Sequence, residues 1–197
     1  MRRQVLGAAV VALVMGGCAA TGPATTGPAT TGPATTGSAA PGPTGPAATT
    51  AFNPTDVAWL QLVVPMTENA LAAARLAPDH SASARVRSAA AAFASSNEKV
   101  LTRLRAARDR AGLPASDVHS GHRMPGMVTP ADLVALRTDH GAEFDRRLVA
   151  LLRAHAGQLV VLARGEQASG ADAETRALSR EIGTEATQEA EALAQTA

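Results

Sequence analysis

Through the C-terminal three-quarters of the chain, apolar residues recur at steps of three and four, the spacing that turns one face of a helix inward. The clearest run is Val86, Ala90, Phe93, Asn97, Val100, Leu104, Ala107 and Ala111, whose alternating steps predict a helix from near Ser81 to Gly112 packed with left-handed bundle geometry. Asn97 is its one polar member. Before it, Asn53 as N-cap and Pro54 in the first turn predict a helix carrying Val57, Leu60, Val64 and Leu71 inward as far as Pro78. Pro65 lies inside that helix and predicts a kink, because its ring crowds the Gln61 carbonyl and its nitrogen has no hydrogen to donate. Residues 113–128 read as loop, followed by a capped short helix from Thr129-Pro130-Ala131-Asp132 to about Thr138. A third long helix follows Gly141, with Phe144, Leu148, Leu152, Leu159 and Leu162 on one side, and is expected to end within Gly165 to Gly170. The last runs from about Asp172 to Gln195 with Leu178, Ile182, Ala186 and Leu193 inward. No stretch alternates as a strand would, so the pattern predicts an all-α, antiparallel four-helix bundle with one added short helix.

The two halves of this pattern read alike. Phe52 introduces a helix containing Val63-Val64-Pro65-Met66-Thr67 and ending in Ala74-Arg75, and Phe144 introduces one containing Leu152-Arg153-Ala154-His155-Ala156 and ending in Ala163-Arg164. Matching the Ala-Arg pairs sets Met66 opposite His155 and Thr67 opposite Ala156. The second helix of each half carries a late glutamate, Glu98 and Glu189. Two hairpins related by a pseudo-twofold axis are expected, with Met66 and His155 facing each other across the interior.

Ahead of the helices the chain changes character. Arg2 and Arg3, the apolar run Leu6 to Val14, and Met15-Gly16-Gly17-Cys18 have the layout of a bacterial lipoprotein signal, with an apolar run too short to span a bilayer core of about 30 Å as a helix. Residues 1–17 are therefore expected to be a signal peptide. Cys18, the only cysteine, would become the lipidated N-terminus, holding the protein on the extracytoplasmic face of the cell membrane. That thiol would then be unavailable for catalysis or metal binding, and no disulfide can form within the chain. Residues 18–50 repeat Thr-Gly-Pro-Ala-Thr and lack large apolar groups, so they predict a disordered linker extending up to about 3.1 Å per residue. The folded domain is expected over residues 51–197. With a net charge of +1, 2% aromatic residues and no tyrosine, the chain has neither the basic excess nor the stacking surface of a nucleic-acid binder.

Phe52-Asn53-Pro54 with Asp56-Val57 ahead of Val64-Pro65, then Met124-Pro125-Gly126-Met127 before Thr129-Pro130, then Gly141-Ala142-Glu143-Phe144-Asp145 carry a family resemblance in both order and spacing. Over nearly all of residues 52–193 the chain resembles the domain of unknown function 305 family, ferritin-like helical proteins of bacterial envelopes. The resemblance implies a His-His pair in the first helix of each half, and copper binding in the envelope. Here Met66-Thr67 stands in place of the first pair and His155-Ala156 in place of the second, leaving one imidazole of four. The chain reads as a degenerate member.

The remaining donors suit a soft metal. Met66 and His155 in the core, with His122, Met124 and Met127 from the loop that also holds His119, offer thioether and imidazole groups of the kind that favour Cu(I). Space-filling by Met66 and a neutral core role for His155 is the opposing reading, under which the protein is a metal-free structural or interaction lipoprotein. Met124 to Met127 would then pack as a lid, with Gly126 in a positive-φ turn. His80 and His140 fall at helix ends, where capping or solvation accounts for them. Glu98 and Glu189 could orient a ligand histidine, or sit at the surface or on Asn97 or an arginine. No nucleophile elbow, phosphate loop or free thiol is present, and three residues after Glu143 comes Arg146 rather than the histidine of a di-iron bundle, so no enzyme is predicted. The sequence points to no protein partner.

Overall fold

A computed structural model describes residues 52–115 and 123–196. All regular structure in them is helical: α1 (Pro54–Ala74), α2 (Ala77–His80), α3 (Ala84–Arg110), α4 (Pro130–Thr138), α5 (Gly141–Ser169) and α6 (Ala173–Ala194). The leader, Cys18 and the linker lie outside the described residues, as do His119 and His122.

Local chemistry sets most boundaries. The Asn53 side chain accepts from the Thr55 and Asp56 N–H groups at 2.8 and 3.0 Å, while Asp56 Oδ2 accepts from Asn53 N–H at 2.6 Å. This capping box satisfies donors that a helix start leaves free. Thr129 and Asp132 build the same box for α4, and Ser83 and Asp172 cap α3 and α6. One predicted end moves. α1 stops at Ala74, and Pro78 belongs to the separate turn α2, because proline fits an opening turn but not a helix interior. α5 ends at Ser169, inside the expected Gly165 to Gly170 range; it runs through Gly165 because burial of Ala163 and Glu166 on its inner face outweighs the cost of about 1 kcal/mol for one glycine. α1 continues through Pro65 as one helix.

Each long helix packs on two others: α1 on α3 and α5, and α6 on α3 and α5. Ion pairs Glu68–Arg105 and Arg75–Glu98 run α3 antiparallel to α1. Arg103–Glu181 and Arg110–Asp172 do the same for α3 and α6.

Two apolar clusters fill the interior. One gathers Leu60, Val64, Leu104, Leu159 and Ile182; the other gathers Ala70, Phe93, Leu148, Leu152 and Leu193. Where they meet, each helix contributes a polar residue: Thr67 on α1, Asn97 on α3, His155 on α5 and Glu189 on α6. Thr67, Asn97 and His155 are buried.

The halves also repeat a contact. Asp145 on α5 accepts from the N–H of Ser83, the N-cap of α3, at 3.2 Å, and Asp56 on α1 accepts from the N–H of Asp172, the N-cap of α6, also at 3.2 Å. Asp145 follows Asp56 and Asp172 follows Ser83 by the same interval, 89 residues (145−56 and 172−83). Met66 and His155 share that interval. It pairs Glu98 with Thr187 and Glu189 with Val100, so the two glutamates are not equivalents.

Candidate metal centre

His155 is the least satisfied polar group of the interior. Its ring is fully buried and neither nitrogen has a hydrogen-bond partner. Burial pushes its pKa down to about 4; the Gly126 backbone pulls slightly the other way but falls short of hydrogen-bond geometry. The imidazole is therefore neutral at pH 7, with a lone pair free. Phe93 packs against it edge-on, with ring centroids 5.9 Å apart and planes at 71°.

Met66, at the matching position of the first half, is also fully buried. Beside it Thr67 turns its hydroxyl back to the Val63 carbonyl at 2.9 Å, which removes it as a free ligand. The sequence reading placed both site residues inward, and both are inward.

The segment Met124 to Met127 forms a turn in which Met127 N–H donates to the Met124 carbonyl at 3.2 Å and Gly126 adopts φ +70°, as its sequence predicts. The turn lies directly on α5. A Cβ on Gly126 would overlap Gln158 Cβ and stand 2.7 Å from the carbonyl oxygen of Ala154, the residue before His155. Met127 is buried and Met124 half-buried. His122 lies outside the described residues.

The other histidines and glutamates that the sequence singled out take structural roles. His80 and His140 stack at 4.6 Å, and His80 Nδ1 pairs with the Asp139 carbonyl at 2.9 Å. Glu98 forms an exposed ion pair with Arg75. Glu189 Oε1 accepts from Asn97 Nδ2 at 2.7 Å, and burial followed by the charge of Glu185 pushes its pKa up to about 7. Among the described residues no three His, Cys, Asp or Glu side chains converge as a metal site would require.

A second buried constellation escaped the sequence reading. Asp56 is fully buried and Glu166 is 1% exposed, where the start of α1, the end of α5 and the start of α6 meet. Asp56 accepts from the N–H groups of Asn53, Ala171 and Asp172. Burial pushes its carboxyl up, but Asn53, the Glu166 carboxyl and the N–H groups of Ala171 and Asp172 outweigh this and hold it below the usual range. Neither Glu166 oxygen has a hydrogen-bond partner, and burial, followed by the neighbouring Asp56 carboxylate, raises its pKa to about 8. Glu166 therefore keeps its proton at pH 7 while Asp56 is ionised. Gly170 makes room, since a Cβ there would overlap Glu166 Oε1. The visible clue was the repeated ten-residue spacing of Asp56 from Met66 and of Asp145 from His155.

The model of the domain of unknown function DUF305 matches residues 56–197. The chain belongs to the DUF305 family. Its backbone is similar to that of a DUF305 fragment from Deinococcus radiodurans, with TM-score 0.67 at 23% identity over 73% of this chain and 95% of that one. A DUF305 protein of Streptomyces coelicolor described as secreted gives TM-score 0.63 at 20% identity over 72% and 90%. CopM in its Cu(I)-bound form gives 0.59 at 18% identity over 71% and 93%. CopM has also been captured with silver and with Cu(II). At these identities the likenesses establish the shared helical fold. No curated protein matches the chain in sequence.

Proposed function

We propose that this DUF305 protein is a lipid-anchored, extracytoplasmic copper-binding protein, and that its helices form a ferritin-like four-helix bundle of two related hairpins. One Cu(I) ion is held at the waist of the bundle by the Met66 thioether and the His155 imidazole, with Met127, Met124 and His122 as further donors from the loop. The observation that carries this reading is the His155 ring, buried, neutral and without a partner on either nitrogen. A buried polar group left unpaired costs about 1–3 kcal/mol, a cost that coordination would offset. Thioether and imidazole suit a soft monovalent ion, whereas the acidic cluster a hard divalent ion requires is missing among the described residues. The fold shared with CopM, which binds Cu(I), Cu(II) and silver, agrees with the choice of metal. The role is binding rather than catalysis.

Competition of the full-length protein in detergent against a chromogenic Cu(I) chelator tests the reading. One Cu(I) per chain is expected, lost in the Met66→Leu, His155→Ala double variant. Unchanged binding in that variant would move the site to the His/Met loop, and no binding at all would leave a metal-free structural lipoprotein. Anchoring is tested separately: metabolic incorporation of a labelled fatty acid should disappear in Cys18→Ser.

A further inference from the structure

The buried imidazole has to be reached. On the side of the Met124–Met127 turn, α5 is covered so closely that Gly126 has no room for a single added carbon. Between α3 and α6 the packing is different. Ala89 and Ala92 on α3 and Ala192 on α6 are too small to close the seam, and a cleft of about 360 Å³ opens there. Its inner wall includes the Phe93 ring, the same ring that meets His155 edge-on at 5.9 Å. One aromatic side chain thus separates an open cleft from an unpartnered, fully buried imidazole.

The cleft also has a sign. Glu189 lines it and is fixed by Asn97, whose amide bridges the Glu189 carboxylate at 2.7 Å and the Phe93 carbonyl at 3.0 Å. Glu185 stands on the same wall, 3.4 Å from Ser96 Oγ. Of the basic groups along this seam, Arg103 is paired with Glu181, Lys99 borders the adjoining groove, and Arg85 donates to the Gln195 carbonyl at the far end. A cation entering here meets carboxylates first, then Phe93.

We infer that the α3/α6 cleft is the entry route to His155, with the Phe93 ring as its gate and Glu189 as the carboxylate that draws a cation toward it. This rests on the copper reading for its cargo but not for its geometry, and the two can fail separately. Movement of Phe93 about its side-chain torsions opens the route without unfolding α3, and the bond from Asn97 to the Phe93 carbonyl keeps the backbone at the gate in place.

The first measurement needs no metal. Diethyl pyrocarbonate, a small uncharged reagent that acylates neutral imidazole, is applied to the full-length protein, and modification of His155 is followed by peptide mass mapping. Phe93→Ala should speed His155 labelling by about tenfold or more, as access shifts from rare opening to a standing gap. Phe93→Leu, a milder truncation less apt to disturb folding, should give a smaller acceleration. Ala192→Trp, an exposed change that fills the cleft mouth, should slow labelling. Glu189→Gln should leave it unchanged. In stopped-flow uptake of Ag(I) at pH 8, where Glu189 is ionised, Glu189→Gln should slow association by about tenfold while leaving equilibrium affinity intact, the pattern of lost electrostatic steering. Labelling at the wild-type rate in both Phe93 variants would overturn the inference. So would a larger acceleration from Gly126→Ala, which loosens the opposite side. If labelling behaves as expected but no Cu(I) or Ag(I) binds, the copper reading fails and the route stands; if metal binds and labelling is indifferent to Phe93, the route fails and the copper reading stands.

Discussion

Replacing Glu166 by glutamine preserves the shape of a buried side chain and removes its proton equilibrium. In the folded protein the Glu166 pKa is about 8, against 4.5 for an ordinary glutamate. A carboxyl whose proton affinity rises on folding contributes most below its unfolded value, and loses that contribution as pH climbs toward its folded value. The window is therefore pH 4.5 to about 8, and stability falls with rising pH across it, because the folded chain keeps a proton that the unfolded chain releases. At about 1.4 kcal/mol per tenfold change in proton affinity, the fall between pH 5 and pH 8 is at most about 3.5 kcal/mol. Joint titration with Asp56 reduces it to about 2 kcal/mol. The amide of Glu166→Gln does not titrate and carries no such dependence. Chemical denaturation of both proteins at a series of pH values isolates the effect, since all other carboxylates cancel in the difference. Glu166→Gln should be about as stable as the parent near pH 5 and about 2 kcal/mol more stable at pH 8, or roughly 5 °C in Tm for a domain of this size. Parallel curves from pH 5 to pH 8 would refute the raised proton affinity of Glu166.

Asp56→Ala strands the N–H groups of Asn53, Ala171 and Asp172, and should cost about 3 kcal/mol by urea denaturation, whereas Asp145→Ala leaves the Ser83 N–H its bond to Ser81 Oγ and should cost less than about 1 kcal/mol. Gly126→Ala forces a positive φ on a residue with a side chain and drives its Cβ into Gln158, so a loss of about 2 kcal/mol is expected in the same assay. Met66→His places a second imidazole at the position matching His155, and should add Cu(II) binding detectable by electron paramagnetic resonance. A Cu(II) signal identical to that of the parent would refute the matched placement.

Much of the fold was legible because the helices are announced by local chemistry. Asn53-Pro54, Thr129-Pro130 and Asp172 mark starts that α1, α4 and α6 use, and the stripe from Val86 to Ala107 is the buried face of α3. The end of α5 was legible as a range: the helix closes at Ser169, inside Gly165 to Gly170, because Ala163 and Glu166 are buried on either side of Gly165. Pro78 differs, opening the next turn instead of closing α1, because local and tertiary terms compete there. For the candidate site, the inward placement of Met66 and His155 followed from the repeat, while the isolation of the His155 nitrogens did not, since it depends on what three other helices fail to offer. The Asp56–Glu166 pair was equally hidden: residues 110 positions apart (166−56) meet only when three helix ends converge.

The reciprocal contacts of Asp56 and Asp145 carry a consequence for the molecule as a whole. Each half supplies an acceptor that the other half's entering helix needs, so neither hairpin is complete by itself. Severed at the loop, the separate pieces would each expose backbone donors and a carboxylate built for an absent mate. An ancestral single hairpin with this aspartate would have satisfied the same requirement by pairing with a second copy of itself.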